Sequence, residues 1–94
     1  EAVCDWLRDI NKTDSINNRH SSYFLKHLAE NRLGLGHISN GTLIAAAVYC
    51  GFSYKSAENY PNLVFNMDQD SIQQKYEESL HYEKYPKNTQ HRVH

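Results

Sequence analysis

The strongest constraint on this fold is one apolar stretch near the middle of the chain, ISNGTLIAAAVYCGF at residues 38–52. It contains the longest purely apolar run, residues 43–50, which is far too short to span a membrane. After Asn40 the stretch has no charged or amide side chain, and a helix that is apolar nearly all round is buried. The pattern predicts a core helix over about residues 41–50, with Ser39 or Asn40 as its N-cap and a glycine just beyond its end.

The residues before this stretch predict two more helices. Apolar positions at helical spacing indicate a first helix that ends near Asn11 and a second that begins at Ser21 or Ser22. Gly34 ends the second helix, because glycine accepts the left-handed conformation of a helix C-cap. Between the two helices, TDSINNRH at residues 13–20 is polar and rich in turn formers, so we expect a loop there.

The residues after the stretch predict a hairpin and a last helix. Two short β-prone runs joined by a turn lie within residues 52–67. Asp70 or Ser71 then opens a helix that ends at a proline. The predicted fold class is α+β: a small, mostly helical domain of three helices, a β-hairpin and a C-terminal helix. We predict a single domain over residues 1–86 and a flexible tail over residues 87–94.

Charge and cysteine content narrow the class of protein. The chain has 94 residues and a net charge of −1 with its histidines neutral, so it has no strong field to attract nucleic acid or an anionic membrane. Cys4 and Cys50 are far apart and form no C-x-x-C pair, and the sequence leaves open whether they are joined. We expect a reduced, cytoplasmic setting and no membrane partner.

Three helices followed by a hairpin are also the order of a winged-helix domain, in which the third helix reads DNA. Here the third helix has almost nothing with which to contact base edges, and the ten basic residues are scattered along the chain. A winged-helix nucleic-acid-binding regulator is therefore the alternative hypothesis, and it would bind through the second helix, the wing and the tail.

The densest cluster of functional groups is RHSSYFLKHLAE, residues 19–30. His27 and Glu30 are three apart on a helix, so the carboxylate can orient the imidazole. A small enzyme built on His20, Ser22 and His27 is a second alternative, although the chain has no nucleophile turn, phosphate loop or paired-carboxylate motif. We predict no catalytic residue and a binding surface instead. That surface is the polar face of the second helix, with Asn62 and Asn66 nearby in the hairpin; its helix residues are His20, Tyr23, Lys26, His27 and Glu30.

Histidine is abundant but poorly arranged for metal binding. The chain has six histidines, and the closely spaced His91 and His94 have no cysteine pair to complete a site. Structural zinc sites pair their ligands more tightly than this. We predict neither a metal nor a cofactor.

Aromatic residues have two interpretations in this chain, which contains seven Tyr, three Phe and one Trp. They can fill the core of a small domain, or they can anchor a protein partner, since Tyr is favoured at interfaces. We expect core filling for most of the central set, which is Tyr49, Phe52, Tyr54, Tyr60 and Tyr82.

Several motifs occur together in residues 20–67: HSSYFLKH, SNG at a helix start, an alanine-rich segment that ends in Gly-Phe, and PNLVFN. This combination resembles small proteins carried by bacterial prophages, plasmids and other mobile elements. The resemblance implies a setting, that of an accessory gene product, and such elements often encode stoichiometric inhibitors of host defence and small regulators.

These observations predict a small non-enzymatic protein that acts by binding a protein partner. Nucleic acid is the less favoured partner. Self-association as a homodimer is a further alternative, because a chain this short can use a dimer to extend its core.

Overall fold

The computed structural model describes residues 2–84, with side chains described as far as Leu80. Four helices and three strands follow in the order α1 (Ala2–Arg8), β1 (Lys12–Ser21), α2 (Ser22–Leu33), α3 (Asn40–Tyr49), β2 (Tyr54–Ser56), β3 (Leu63–Met67) and α4 (Gln69–Lys84). The predicted α+β class and the hairpin are confirmed. The tail predicted over residues 87–94 lies outside the described residues. Within residues 2–84, none of the helices has the length and hydrophobicity that a bilayer span requires.

The three strands form one antiparallel sheet in the order β1-β3-β2, so β3 is the central strand. The prediction of a loop over residues 13–20 is wrong, because this segment forms most of β1. β1 is a polar edge strand in which only Ile16 is aliphatic, so the apolar alternation of a half-buried strand is missing. Its pairing with β3 shifts register twice, and these bulges accommodate the turn-forming residues.

The core draws side chains from all four helices and from β3. Its largest fully buried members are Leu7, Leu25, Leu43, Phe65, Met67 and Ile72. Along β3, Phe65 and Met67 belong to this core, whereas Val64 lies outside the core cluster and, with Asn66, on the opposite face of the sheet. One face of the sheet therefore packs on the helices, and the other face does not contribute to the core.

The apolar stretch that constrains the fold is buried on one side only. Leu43, Ala46 and Ala47 of α3 are buried against α1 and α2, as predicted. The expectation of burial all round is wrong, since Val48 is 43% exposed and Tyr49 is 77% exposed. The helix lies at the surface of the domain, where its neighbours pack against a single face.

The helix ends follow local chemistry. Ser39 caps α3, its hydroxyl accepting a hydrogen bond from Thr42 N at 3.0 Å. Gly34 ends α2 in the left-handed conformation, with φ of 64°, as predicted. Ser21 occupies the predicted N-cap position of α2, although its side chain makes no capping bond.

Two predicted helix ends differ from the structure. The first helix ends at Arg8 rather than near Asn11, since the chain turns there to enter β1. The last helix begins at Gln69, one residue before the predicted range. Its start is stabilised by Asp68, whose carboxylate accepts hydrogen bonds from the backbone N–H and the hydroxyl of Ser71.

Cys4 and Cys50 are not joined by a disulfide bond. They nevertheless lie close together, since the sulfur of Cys50 is 3.7 Å from the backbone oxygen of Cys4.

Asn66 joins the two edges of the sheet from the central strand. Its side-chain oxygen accepts a hydrogen bond from Ser53 N at 2.7 Å, just before β2. Its side-chain nitrogen donates to the backbone oxygen of Thr13 in β1 at 2.9 Å. A single amide thus fixes the separation of both flanking strands from β3.

We predict that Asn66→Ala lowers the free energy of unfolding by about 2 kcal/mol, because two hydrogen bonds are lost and their backbone partners are left unpaired. Urea unfolding followed by circular dichroism measures the change. Asn18→Ala, at an exposed position of β1, is the control and is expected to change stability by less than about 0.5 kcal/mol. Equal stability of the two variants would contradict this role of Asn66.

Candidate functional site

The predicted binding residues of α2 make contacts with one another. Lys26 Nζ lies 3.2 Å from Glu30 Oε2, and His27 Nδ1 lies 2.9 Å from Glu30 Oε1. The Lys26 ammonium also lies 5.5 Å from the ring centre of Tyr23, which meets His27 edge-on. Lys26 is buried, whereas Tyr23 is 55% exposed. The cluster therefore presents chiefly Tyr23 and His27 to solvent, while its charged groups are satisfied internally.

Glu30 connects this cluster to the loop before α3. Its carboxylate accepts a hydrogen bond from Ile38 N at 2.7 Å and lies 3.5 Å from His37 Nδ1. The Ile38 N–H contributes most to a lowered pKa of Glu30, and the bonds from Lys26 and His27 lower the pKa further. A carboxylate with this many donors holds the α2–α3 connection in place.

We predict that Glu30→Gln destabilises the protein by about 2 kcal/mol at neutral pH, since charge-assisted hydrogen bonds are lost. The pKa of Glu30 is lower in the folded state than in the unfolded state, so its contribution is complete above the unfolded pKa and disappears as pH falls through the folded pKa. Urea unfolding at about pH 7 and about pH 3 should therefore show a smaller difference from wild type at the lower pH.

Glu77→Gln is the matched control, because Glu77 is an exposed helical carboxylate with a single 3.3 Å bond from Gln73. It should leave stability within about 0.5 kcal/mol of wild type at both pH values. A loss from Glu30→Gln that is as large at low pH as at neutral pH would show that the charge of Glu30 is not what stabilises the fold.

The two predicted asparagines belong to the sheet. Asn62 is 9% exposed, and its backbone closes the β2–β3 turn through bonds with Ala57 and Asn59. Asn66 is the link between strands described above. Among the described residues, neither asparagine side chain is shown in contact with the cluster on α2. Binding of a partner by the predicted surface stays a prediction.

Ser22 is poorly placed to act as a nucleophile. It is fully buried, and its hydroxyl accepts a hydrogen bond from Leu63 N at 3.1 Å. A substrate has no access to such a group, so the geometry gives the His20, Ser22 and His27 alternative no support. Among the described residues, no three His, Cys, Asp or Glu side chains are grouped closely enough to hold a metal ion.

A groove of about 620 Å³ opens on the face of the sheet that points away from the core. We call it the sheet groove. Val64 of β3 forms its floor, lying opposite Ser21 of β1 and Lys55 of β2 in the strand register. One wall is residues 18–21 of β1, with Phe24 above it, and the other wall is residues 55–59 of the hairpin.

The β1 wall is a bulge held by Asn17. Asn17 lies opposite Phe65 and Ser21 opposite Val64, so residues 18–20 have no opposite partner in β3. The Asn17 side-chain oxygen accepts from Arg19 N at 2.9 Å. Its side-chain nitrogen donates to Met67 O at 3.2 Å and to Gln69 Oε1 at 2.9 Å. This amide positions Arg19 and the next residue, His20, at the groove.

The prediction that His20 belongs to the face of the second helix is wrong, because His20 lies in β1, before α2 begins. It is half-buried in the bulge and stacks on Phe24, with 4.6 Å between ring centres. Burial lowers the pKa of His20, and the positive charge of Arg19 lowers it further. Gln69 Nε2 lies 3.2 Å from His20 Nε2, and an amide nitrogen can only donate, so this contact requires an unprotonated Nε2. The reverse amide orientation would raise the pKa of His20, but the bond from Asn17 to Gln69 Oε1 disfavours it.

We predict that His20 titrates below its ordinary pKa of 6.5 and that Arg19→Gln raises its pKa. NMR titration of the ring protons measures both values. The unfolded state binds more protons than the folded state between the two pKa values, so stability falls as pH drops below about 6.5. Arg8→Gln, which removes an exposed cation from α1, should leave the His20 pKa unchanged. A His20 pKa at or above 6.5 would contradict this arrangement.

Two cations on opposite walls of the sheet groove have no counter-ion within the part of the chain that the structure describes. Neither Arg19 nor Lys55 forms an ion pair with any carboxylate among the described residues, and Glu58 is the acidic residue of the lining. The pair could not be recognised in the sequence, because the two residues are far apart in the chain. Only the β1–β3–β2 pairing brings them to one groove, and β1 carries no apolar pattern that would reveal it.

The central aromatic residues divide between core and surface. Phe52 is buried, as expected from core filling. The same expectation is wrong for Tyr49, Tyr54 and Tyr60, which are 77%, 55% and 85% exposed. The Tyr82 side chain lies outside the described residues. These three tyrosines therefore lie at the surface and do not fill the core.

Comparisons with protein-family models, with curated proteins and with solved structures found no match to this chain. The resemblance of residues 20–67 to proteins of mobile elements stays a prediction.

Proposed function

We propose that this chain is a non-catalytic protein-binding module that engages its partner through the sheet groove. The observation that carries the proposal is the pair of unpaired cations, Arg19 and Lys55, on opposite walls of an open groove. Charged groups that lack intramolecular partners are available to an outside partner, whereas those of the α2 cluster are already satisfied. The groove also has an aromatic edge at Phe24, and aromatic side chains suit contact with a protein surface.

Exposed tyrosines support the same function. Tyr23, Tyr49, Tyr54 and Tyr60 are each more than half exposed, and tyrosine at a protein surface is a frequent anchor for a partner. The setting we propose is that of an accessory protein of a mobile element. There it would act as an inhibitor of host defence or as a regulator, by occupying a host protein stoichiometrically.

A nucleic-acid-binding regulator is the second candidate, and the order of elements favours it. β1 between α1 and α2, followed by α3 and a hairpin with β3 in the centre, is the connectivity of a winged-helix domain. The solvent-facing residues of α3 weigh against it, because none is a cation or carries an amide to read bases. These residues are Gly41, Thr42, Ala45, Val48 and Tyr49. Fold alone does not define function.

Affinity capture tests the proposal. The tagged protein and the double variant Arg19→Glu/Lys55→Glu are each incubated with lysate of the cells that carry its gene, with and without nuclease treatment. We expect one protein to be retained near stoichiometry by wild type and at least about tenfold less by the variant. Each reversal replaces an attraction to the partner by a like-charge repulsion, so the two reversals together should cost at least about 1.4 kcal/mol, which corresponds to a tenfold loss.

The matched control is Arg8→Glu/Arg32→Glu, which reverses two exposed cations outside the sheet groove and should bind like wild type. Equal loss in both variants would show that net charge, not the groove, determines binding. Retention that disappears with nuclease, with a steep dependence on salt, would favour the nucleic-acid candidate.

A further inference from the structure

A second, more apolar pocket adjoins the sheet groove. It has a volume of about 240 Å³ and is lined by His20, Phe24, Ile72, Gln73 and Tyr76. His20 and Phe24 also line the sheet groove, so the two sites share a wall. We call this second site the aromatic pocket.

The two sites differ in the chemistry that they accept. The sheet groove contains two unpaired cations and one carboxylate, Glu58, so its balance is positive and an anionic group is attracted. The aromatic pocket is lined mainly by rings and aliphatic carbon, and Ile72 at its base is fully buried. A large apolar side chain gains free energy by leaving water for such a surface.

Extended polypeptide suits this pair of neighbouring sites. In an extended chain, residues two apart point to the same side and are separated by roughly 7 Å. An acidic residue and an apolar residue with one residue between them therefore reach two adjoining sites at once. A folded partner can supply such a segment from a strand or a loop.

We propose that the sheet groove and the aromatic pocket together bind an extended protein segment with an acidic residue, any residue, and then a large apolar residue. The carboxylate lies between Arg19 and Lys55, and the apolar side chain enters the aromatic pocket beside Phe24. This inference rests on the proposed function and names the kind of partner segment that the same groove recognises.

The aromatic pocket is less suited to a nucleic-acid base. Base stacking requires a free aromatic face. The ring of Phe24 is stacked on His20 at 4.6 Å and faces Tyr76 at 6.3 Å, with an interplanar angle of 29°. With neighbours already against it, Phe24 offers carbon edges to an apolar side chain rather than an open platform to a base.

The test uses the peptide Ac-Ser-Glu-Ser-Phe-Ser-NH2, titrated into the isotopically labelled full chain and followed by amide NMR shifts. We expect saturable binding with shifts confined to β1, the hairpin and the adjoining ends of α2 and α4. Replacing Glu by Gln, or Phe by Ala, should each weaken binding at least about fivefold, since each removes one of the two recognised groups. A decathymidine oligonucleotide should cause no saturable shift at these residues.

Arg19→Gln/Lys55→Gln should weaken the peptide at least about tenfold, whereas Arg8→Gln should leave its affinity unchanged. The amide spectrum of each variant shows whether it is folded. Ile72→Ser tests the pocket separately, and it should lower affinity for the Phe peptide without changing affinity for the Ala peptide. Gln73→Ala, at the exposed rim of the same pocket, is a milder variant if Ile72→Ser fails to fold.

Three outcomes would overturn the inference: no saturable binding of the Glu-Ser-Phe peptide, equal affinity for the Gln or Ala peptide, or tighter binding of the oligonucleotide at the same residues. Its failure is distinguishable from failure of the proposed function. A partner whose capture depends on Arg19 and Lys55, together with no peptide binding, leaves the protein-binding function standing and rejects only this segment.

Discussion

The structure depends on the central position of β3, which pairs with a strand on each edge and contributes side chains on each face. Its backbone pairs with β1 on one side and β2 on the other, while Phe65 and Met67 enter the helical core. Its opposite face supplies Val64 to the floor of the sheet groove and Asn66 to the hydrogen bonds that hold the neighbouring strands. Core, sheet and candidate site therefore share five consecutive residues, and none of them forms properly unless β3 is in place.

The helices and the hairpin could be predicted from the sequence because their signals are local. The Ser39 cap, the Gly34 C-cap and the apolar spacing of α2 each lie within a few residues of what they determine. β1 could not be predicted in this way, since its strand geometry comes from pairing with β3, about fifty residues later in the chain, as the Lys12–Met67 pair shows. An edge strand without apolar alternation leaves no local pattern.

The same limit explains the candidate site. The sequence shows which groups can interact, as with Lys26 and Glu30 at helical spacing, but not which of them are left without a partner after folding. The cluster on α2 proves to be one whose charges are satisfied internally, because Lys26 and His27 both contact Glu30. The unpaired cations Arg19 and Lys55 stand on elements that only the sheet brings together.

The Asn17 side chain links the groove wall to the start of α4 through Gln69, and Gln69 in turn contacts His20. Positions 17 and 69 therefore depend on each other, since the amide nitrogen of Asn17 donates a hydrogen bond to the amide oxygen of Gln69. During sequence divergence, these two positions should change together or not at all. Arg19, whose backbone alone is held by this link, is free to exchange its side chain and so to follow a changing partner while the architecture of the groove is kept.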